Sequence, residues 1–236
     1  MADRGHDKEE ARNVPDLADH DCVERFYSAI ADPYDRFASS QLFRGLRRRA
    51  VEALELDGDE RVLEVGCGTG GNLPVLDRHL GADGHYVGID LSDGMLRRAA
   101  SRQPTVSTYL LRGDAETPPV RGPFDAILST FVMGVLGDPG VAVERWLSLL
   151  HPDGRLVLLD AAGRRGVRSP LELGFRTFVI LAAPPGTRSR RDTSANEALV
   201  SKVENAHRTL RKRGDPYHES THWRGFVRLT GARPSR

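Results

Sequence analysis

Arg61-Val62-Leu63-Glu64-Val65-Gly66-Cys67-Gly68-Thr69-Gly70 decides the fold. An apolar run carries a glutamate into three glycines at alternate positions, and a helix-like segment, 72–80, follows. A buried strand ending in a glycine turn lets backbone approach a ligand closely at the carboxyl edge of a sheet. The next helix directs its free N–H groups and the positive end of its dipole at an anionic group. Gly66, Gly68 and Gly70 spell G-x-G-x-G, but Gly71 also completes the G-x-G-x-x-G of a dinucleotide-binding turn, so this spacing leaves two cofactor classes open.

Four further apolar runs stand where one sheet needs them. Tyr86-Val87-Gly88-Ile89-Asp90 ends in an acid about twenty residues on, the place where nucleotide-binding α/β folds accept ribose hydroxyls. The run 106–111 leads into Arg112-Gly113-Asp114-Ala115-Glu116, and runs follow at 124–129 and 154–160. Five such runs with helix-sized or loop-sized gaps predict a parallel sheet covered on both faces. Glu64, two residues before the first glycine, and Asp114, after the third run, tip the choice of cofactor class.

On these motifs, residues 25–160 resemble the class I S-adenosylmethionine-dependent methyltransferases, closest in flavour to the ubiquinone/menaquinone-biosynthesis type that acts on small molecules. The resemblance implies an α/β, Rossmann-like, doubly wound sheet of about seven mostly parallel strands, with N-terminal helices and an inserted helical lid. It implies S-adenosyl-L-methionine as cofactor and S-adenosyl-L-homocysteine as product. Glu64 would hold the turn or meet the cofactor's amino group through water. Asp114 would accept from the adenine amino group, with Ala115 offering a backbone N–H. Gly66, Cys67, Gly68 and Gly70 form the turn beside the methionine portion, Cys67 as a small filler. Asp90 takes the ribose hydroxyls, and Leu91 and Met95 flank the adenine. Ser129 and Thr130, at the tip of the fourth strand, stand where cofactor and acceptor should meet.

At 236 residues, with 39% apolar and 28% charged content, the chain fits a single α/β domain with a sizeable core. Residues 1–18 are polar and aperiodic, which predicts a loose tail before a methyltransferase domain over 19–236. Two cysteines, Cys22 and Cys67, give no metal spacing and no disulfide framework, which suits a reducing cytoplasm. No metal site is expected, and the N-terminus lacks the positive-then-apolar pattern of a secretion signal. The net charge of +1 conceals an asymmetry, −9 over residues 1–160 and +10 over 161–236. Basic clusters at 188–191 and 208–213 suit a solvated surface, an anionic substrate or an acidic membrane surface. Nucleic acid is not expected, because the basic residues are mixed with acids and carry few aromatics for stacking.

Val23, Phe26, Tyr27 and Ile30 sit at helical spacing, and Asp32-Pro33 reads as a cap and first-turn proline opening a second helix at Tyr34. Leu42, Leu46, Ala50 and Leu54 continue the period. These helices are placed to close over the cofactor, and the rings of Tyr27 and Tyr34 are candidates to face the sulfonium. Ser92 and Asp138-Pro139 read as caps of later helices. After Asp160 the alternation stops, so residues 161–222 are assigned to a helical lid and 223–230 to a final strand. Within the lid, Ser169-Pro170-Leu171-Glu172 opens an apolar helix whose Phe175 and Phe178 are candidates to wall an acceptor pocket. That run is interrupted by Arg176 and too short to span a bilayer, though peripheral membrane contact stays open.

The predicted activity is methyl transfer to a small, lipophilic or amphipathic acceptor. Displacement at a sulfonium needs positioning and desolvation more than a strong base. No catalytic base is assigned: His151 precedes the fifth strand, at the wrong sheet edge, while His207, His218 and His222 read as surface histidines. The alternatives are a cofactor-binding protein without catalysis, a methyltransferase acting on RNA or protein, and a nicotinamide-dependent oxidoreductase, which would leave Glu64 and Asp114 without roles.

Overall fold

The computed structural model describes residues 20–38, 40–161 and 192–235. Its chain order is α1 (His20–Ala38), α2 (Gln41–Glu52), β1 (Arg61–Val65), α3 (Leu73–Leu76), β2 (His85–Asp90), α4 (Asp93–Ala100), β3 (Ser107–Arg112), β4 (Phe124–Thr130), α5 (Pro139–Ser148), β5 (Leu150–Ala161), α6 (Asp192–Arg213), β6 (Gly214–His222), a 3₁₀ turn at 223–225 and β7 (Val227–Pro234).

The seven strands form one sheet in the order β3-β2-β1-β4-β5-β7-β6. The first five strands pair in parallel, with Val62 beside Tyr86 on one side and Ala126 on the other. β7 runs antiparallel between β5 and β6. The period of two explains why the central strands are apolar throughout. Leu63, Val65, Ile127, Leu156 and Leu158 face one layer, where Trp146 of α5 and Val200, Val203, Ala206 and Leu210 of α6 pack on them. Val62, Ala126, Leu128, Val157 and Leu159 face the other, against Leu46, Ala50 and Leu54 and against Leu73 and Leu76. The strand order reverses between β1 and β4, and that reversal opens a crevice at the carboxyl edge of the sheet.

Two caps stand as read. The Ser92 hydroxyl accepts from Met95 N at 3.2 Å, and Asp138 Oδ1 accepts from Gly140 N at 2.9 Å and Val141 N at 3.2 Å. Three expectations are corrected. Pro33 does not start a new helix: α1 runs through it, because α1 is anchored along its length on α4 and the glycine turn by Ser28 and Asp35. The helix expected over 72–80 is the four-residue α3. The lid assigned to 161–222 is narrower, because α6 is a layer helix packed on α5 and 214–222 is an edge strand along β7. The expected tail, the capping box at Ser169 and the candidates Phe175 and Phe178 lie outside the described residues. Among the described residues no helix is long and apolar enough to cross a membrane, and no group of three metal-ligating side chains forms.

Candidate active site

A cleft with about 880 Å³ of empty space, partly open to solvent, lies over the carboxyl ends of β1, β2 and β4. That is within the range of about 300–1,000 Å³ typical of small-molecule and cofactor sites. Its walls include Tyr27 and Tyr34 from α1, Gly66 and Gly68 from the glycine turn, and Asp90, Leu91, Ser92 and Met95 from the end of β2 and the start of α4. Asp114, Ala115 and Glu116 follow β3, and Thr130, Phe131, Val132, Val135, Leu136 and Gly137 follow β4.

The turn needs its glycines for two different reasons. Gly66 has φ +68, and a Cβ there would come within 2.3 Å of Val132 Cγ2. Gly68 has φ +54 and would meet nothing within 4 Å, so its missing side chain leaves open space and bare backbone on the cleft wall. Asp90 fastens this turn: its Oδ2 accepts from Gly68 N at 2.8 Å and its Oδ1 from Ser92 N at 2.9 Å. Each carboxylate oxygen retains acceptor capacity beyond that one bond. Burial pushes the Asp90 carboxyl above its ordinary range, opposed by the N–H groups of Ser92 and Gly68.

Beyond the Asp90 side, Asp114 Oδ1 accepts from Glu116 N at 2.9 Å and Oδ2 from Thr117 Oγ1 at 3.1 Å, so this acid shapes its own loop while lining the cleft. Glu116 in turn binds Gly137 N and, at 3.3 Å, Asp138 N. Lys202 of α6 holds Leu136 O and, at 3.3 Å, Gly134 O. The loop after β4 is thus clamped from both sides. Phe131, at φ +61, takes a left-handed backbone that is costly for a bulky residue. It is held there by Phe131 N donating to Leu159 O at 2.8 Å and by an edge-to-face contact with Phe43, centroids 5.5 Å apart.

Behind the turn lies a buried polar network. Glu64, fully buried, accepts from Asn72 Nδ2 and from the Tyr86 hydroxyl, each at 2.7 Å. Burial raises its carboxyl from 4.5 to about 7, opposed by hydrogen bonds from Tyr86 and Asn72 and by the charge of Arg47. Asn72 also donates to Thr130 Oγ1 at 2.9 Å and accepts from Arg47 at 3.2 Å. The structure therefore gives Glu64 a support position behind the turn, and it does not line the cleft. Cys67 is also buried, with its thiol raised well above the ordinary range by burial and a Cβ on Gly88 falling 3.0 Å from its sulfur. Gly70 and Ser129 likewise stand outside the cleft lining; the Ser129 hydroxyl is buried without a hydrogen-bond partner.

Of the sequence-based candidates, Gly66, Gly68, Asp90, Leu91, Met95, Asp114, Ala115, Thr130, Tyr27 and Tyr34 meet around one cleft. Sequence reasoning missed Val23, Ser92 and Glu116 as wall residues, and the whole loop from Phe131 to Gly137. His207 is corrected: it is fully buried, 2.8 Å from Thr230 Oγ1 and 3.4 Å from Asp160 Oδ2. It shares the apolar face of α6 that covers the sheet.

A family model described as a methyltransferase domain matches residues 62–154. Aklanonic acid methyltransferase DauC from Streptomyces sp. (strain C5) is 31% identical over 149 residues, spanning 61% of this chain and 67% of that protein. Demethylmenaquinone methyltransferase from Lactiplantibacillus plantarum is 30% identical over 148 residues, 59% of this chain and 62% of that protein. The chain thus spans about two thirds of the length of these relatives. Geranyl diphosphate C-methyltransferase from Streptomyces coelicolor A3(2), 13% identical with a TM-score of 0.61 over 92% of this chain and 97% of that one, shares the fold. With the glycine turn, the acid ending β2 and the reversal between β1 and β4 all in place, the chain belongs to the class I S-adenosylmethionine-dependent methyltransferases.

Proposed function

We propose that this chain transfers a methyl group from S-adenosylmethionine to a small, lipophilic or amphipathic acceptor, by positioning and desolvation. The observation that carries this reading is the make-up of the cleft. One end is polar, with the open backbone at Gly68 and the acids Asp90 and Asp114. The other is apolar, with Phe131, Val132, Val135 and Leu136. The residues suit the cofactor: Gly68 leaves room against bare backbone, and Asp90 keeps acceptor capacity for a pair of hydroxyls. When bound, the cofactor supplies a methyl group already activated on a sulfonium.

In this reading Asp90 takes the ribose hydroxyls, while Leu91 and Met95 pack on the adenine whose edge meets Asp114 and Ala115. Tyr27 and Tyr34, ring centroids 6.2 Å apart and nearly perpendicular, offer aromatic faces to a cation. Burial raises both phenols above their ordinary range, so they stay neutral in the working pH range. Thr130 and Phe131 border the place where the acceptor enters. The described cleft lining contains no histidine, lysine or cysteine, which suits an acceptor that is nucleophilic without a strong base. The names of the relatives, aklanonic acid and demethylmenaquinone, support a small-molecule acceptor.

Incubating the purified chain with methyl-labelled cofactor and a cell extract tests this. Label in an organic-extractable small molecule is expected, and mass spectrometry then identifies it. Label confined to RNA or protein, or no transfer to any acceptor, overturns the reading.

A further inference from the structure

The sequence places a helix N-terminus after the glycine turn as the partner of an anionic group, but α3 has only four residues and carries little dipole. A different positive group occupies that region. Arg47, in the middle of α2, is 7% exposed, and its guanidinium lies against the backbone of the turn: a Cβ on Gly71 would come within 2.7 Å of its Cζ. It donates to Asn72 Oδ1 at 3.2 Å, and its buried Nε has no hydrogen-bond partner. The Phe131 ring lies 5.8 Å away, and Tyr34, another wall residue, feels the Arg47 charge.

A guanidinium carries five N–H donors, and burying one without a counter-charge is costly. Among the described residues no carboxylate lies within ion-pairing distance of Arg47. The acid that feels it is Glu64, whose two oxygens are taken by Asn72 and Tyr86 and whose proton is held up to about pH 7. The site is therefore a buried cation, short of acceptors, set between the glycine turn and two cleft-wall residues, Phe131 and Thr130, the latter reached through Asn72.

We propose that Arg47 is the anion-recognition residue of the cleft and receives the carboxylate at the amino-acid end of the cofactor. This rests on the cofactor reading above. The planar fork of a guanidinium matches a carboxylate bidentately, and the turn that Arg47 touches is the segment the amino-acid end would cross. The charge that a longer helix would have supplied thus comes from a side chain of the preceding helix.

The test compares two probes by titration calorimetry: S-adenosylhomocysteine, which has the carboxylate, and 5′-methylthioadenosine, which shares the nucleoside and thioether but lacks the amino-acid end. Arg47→Met, which keeps an apolar stem without the charge, is expected to weaken S-adenosylhomocysteine by about ten- to hundred-fold, the scale of a charge-assisted bond. Methylthioadenosine should change less than about two-fold on the same reasoning, since it makes no such bond. Arg47→Lys keeps the charge without the fork and should fall between, and it decides the matter alone if the Met variant does not fold. Equal weakening of both probes assigns Arg47 to the support of the turn and overturns the proposal. Unchanged S-adenosylhomocysteine affinity also overturns it, and a raised acceptor KM would then give the anion to the acceptor. Failure of the unaltered chain to bind either probe overturns the cofactor reading instead.

Discussion

The substitution Glu64→Gln gives a direct measure of what the buried network contributes. Glu64 is fully buried and titrates near 7 in the folded chain against an ordinary 4.5. Between those values the unfolded chain has released this proton while the folded chain still holds it. The folded state then binds more protons, so the group's contribution to stability falls as pH rises and levels off above about 7. The gap from 4.5 to about 7 corresponds to about 3 kcal/mol. The glutamine side chain would keep the shape, still accept from Asn72 and offer an N–H to the Tyr86 oxygen, without the titration. Urea denaturation of both proteins from pH 4 to 8.5 therefore gives a difference curve in which the variant gains on the parent by up to about 3 kcal/mol, all within that window. A flat difference refutes the argument, as does a gain that continues to grow above pH 8.

Asp90→Ala should weaken S-adenosylhomocysteine binding at least about ten-fold, because it removes the hydroxyl acceptor and also orphans the Gly68 and Ser92 N–H groups; calorimetry reads this directly. His207→Leu leaves Asp160, 1% exposed, in an apolar layer without its neighbour, and should cost about 3 kcal/mol by chemical denaturation. The pair His207→Leu with Asp160→Leu should cost less than that single change, and an additive result would show that the two side chains act independently.

The parts legible in the sequence are those fixed by short-range chemistry. A glycine turn after an apolar run, an acid at the end of the next strand and a serine or aspartate capping a helix each require only a few neighbouring residues. Gly66, Gly68, Asp90, Ser92 and Asp138 accordingly stand where they were read. The remainder depends on what arrives from elsewhere in the chain. Pro33 looks like a helix start until α1 is laid on α4. The strand 214–222 has a broken alternation, and its pairing with β7 decides its state. His207 sits among arginines and lysines, yet it shares a face with Val200, Val203 and Leu210, and that period marked it as inward. Arg47 hid within Arg47-Arg48-Arg49, although its spacing of four from Phe43 was the available signal. Phe131 gave no signal, because its left-handed backbone is imposed by β5 and Phe43.

The cleft wall contributed by α1 is fastened differently from the others. Tyr27 and Tyr34 ride on a helix joined to the body through Ser28 with Ser92 and Gly94, and through Asp35 with Thr69, Arg98 and Arg102. These are polar contacts for which water is a ready substitute, whereas the opposite wall is continuous with the sheet and its apolar layers. When the site opens, α1 is thus the side that lifts, exchanging its partners for solvent with little apolar surface exposed. A seam of this kind sets the direction in which a nucleoside-sized product departs. It also couples departure to the loss of both tyrosine faces at once, so the site is dismantled as it empties and reassembled only when the next ligand is enclosed.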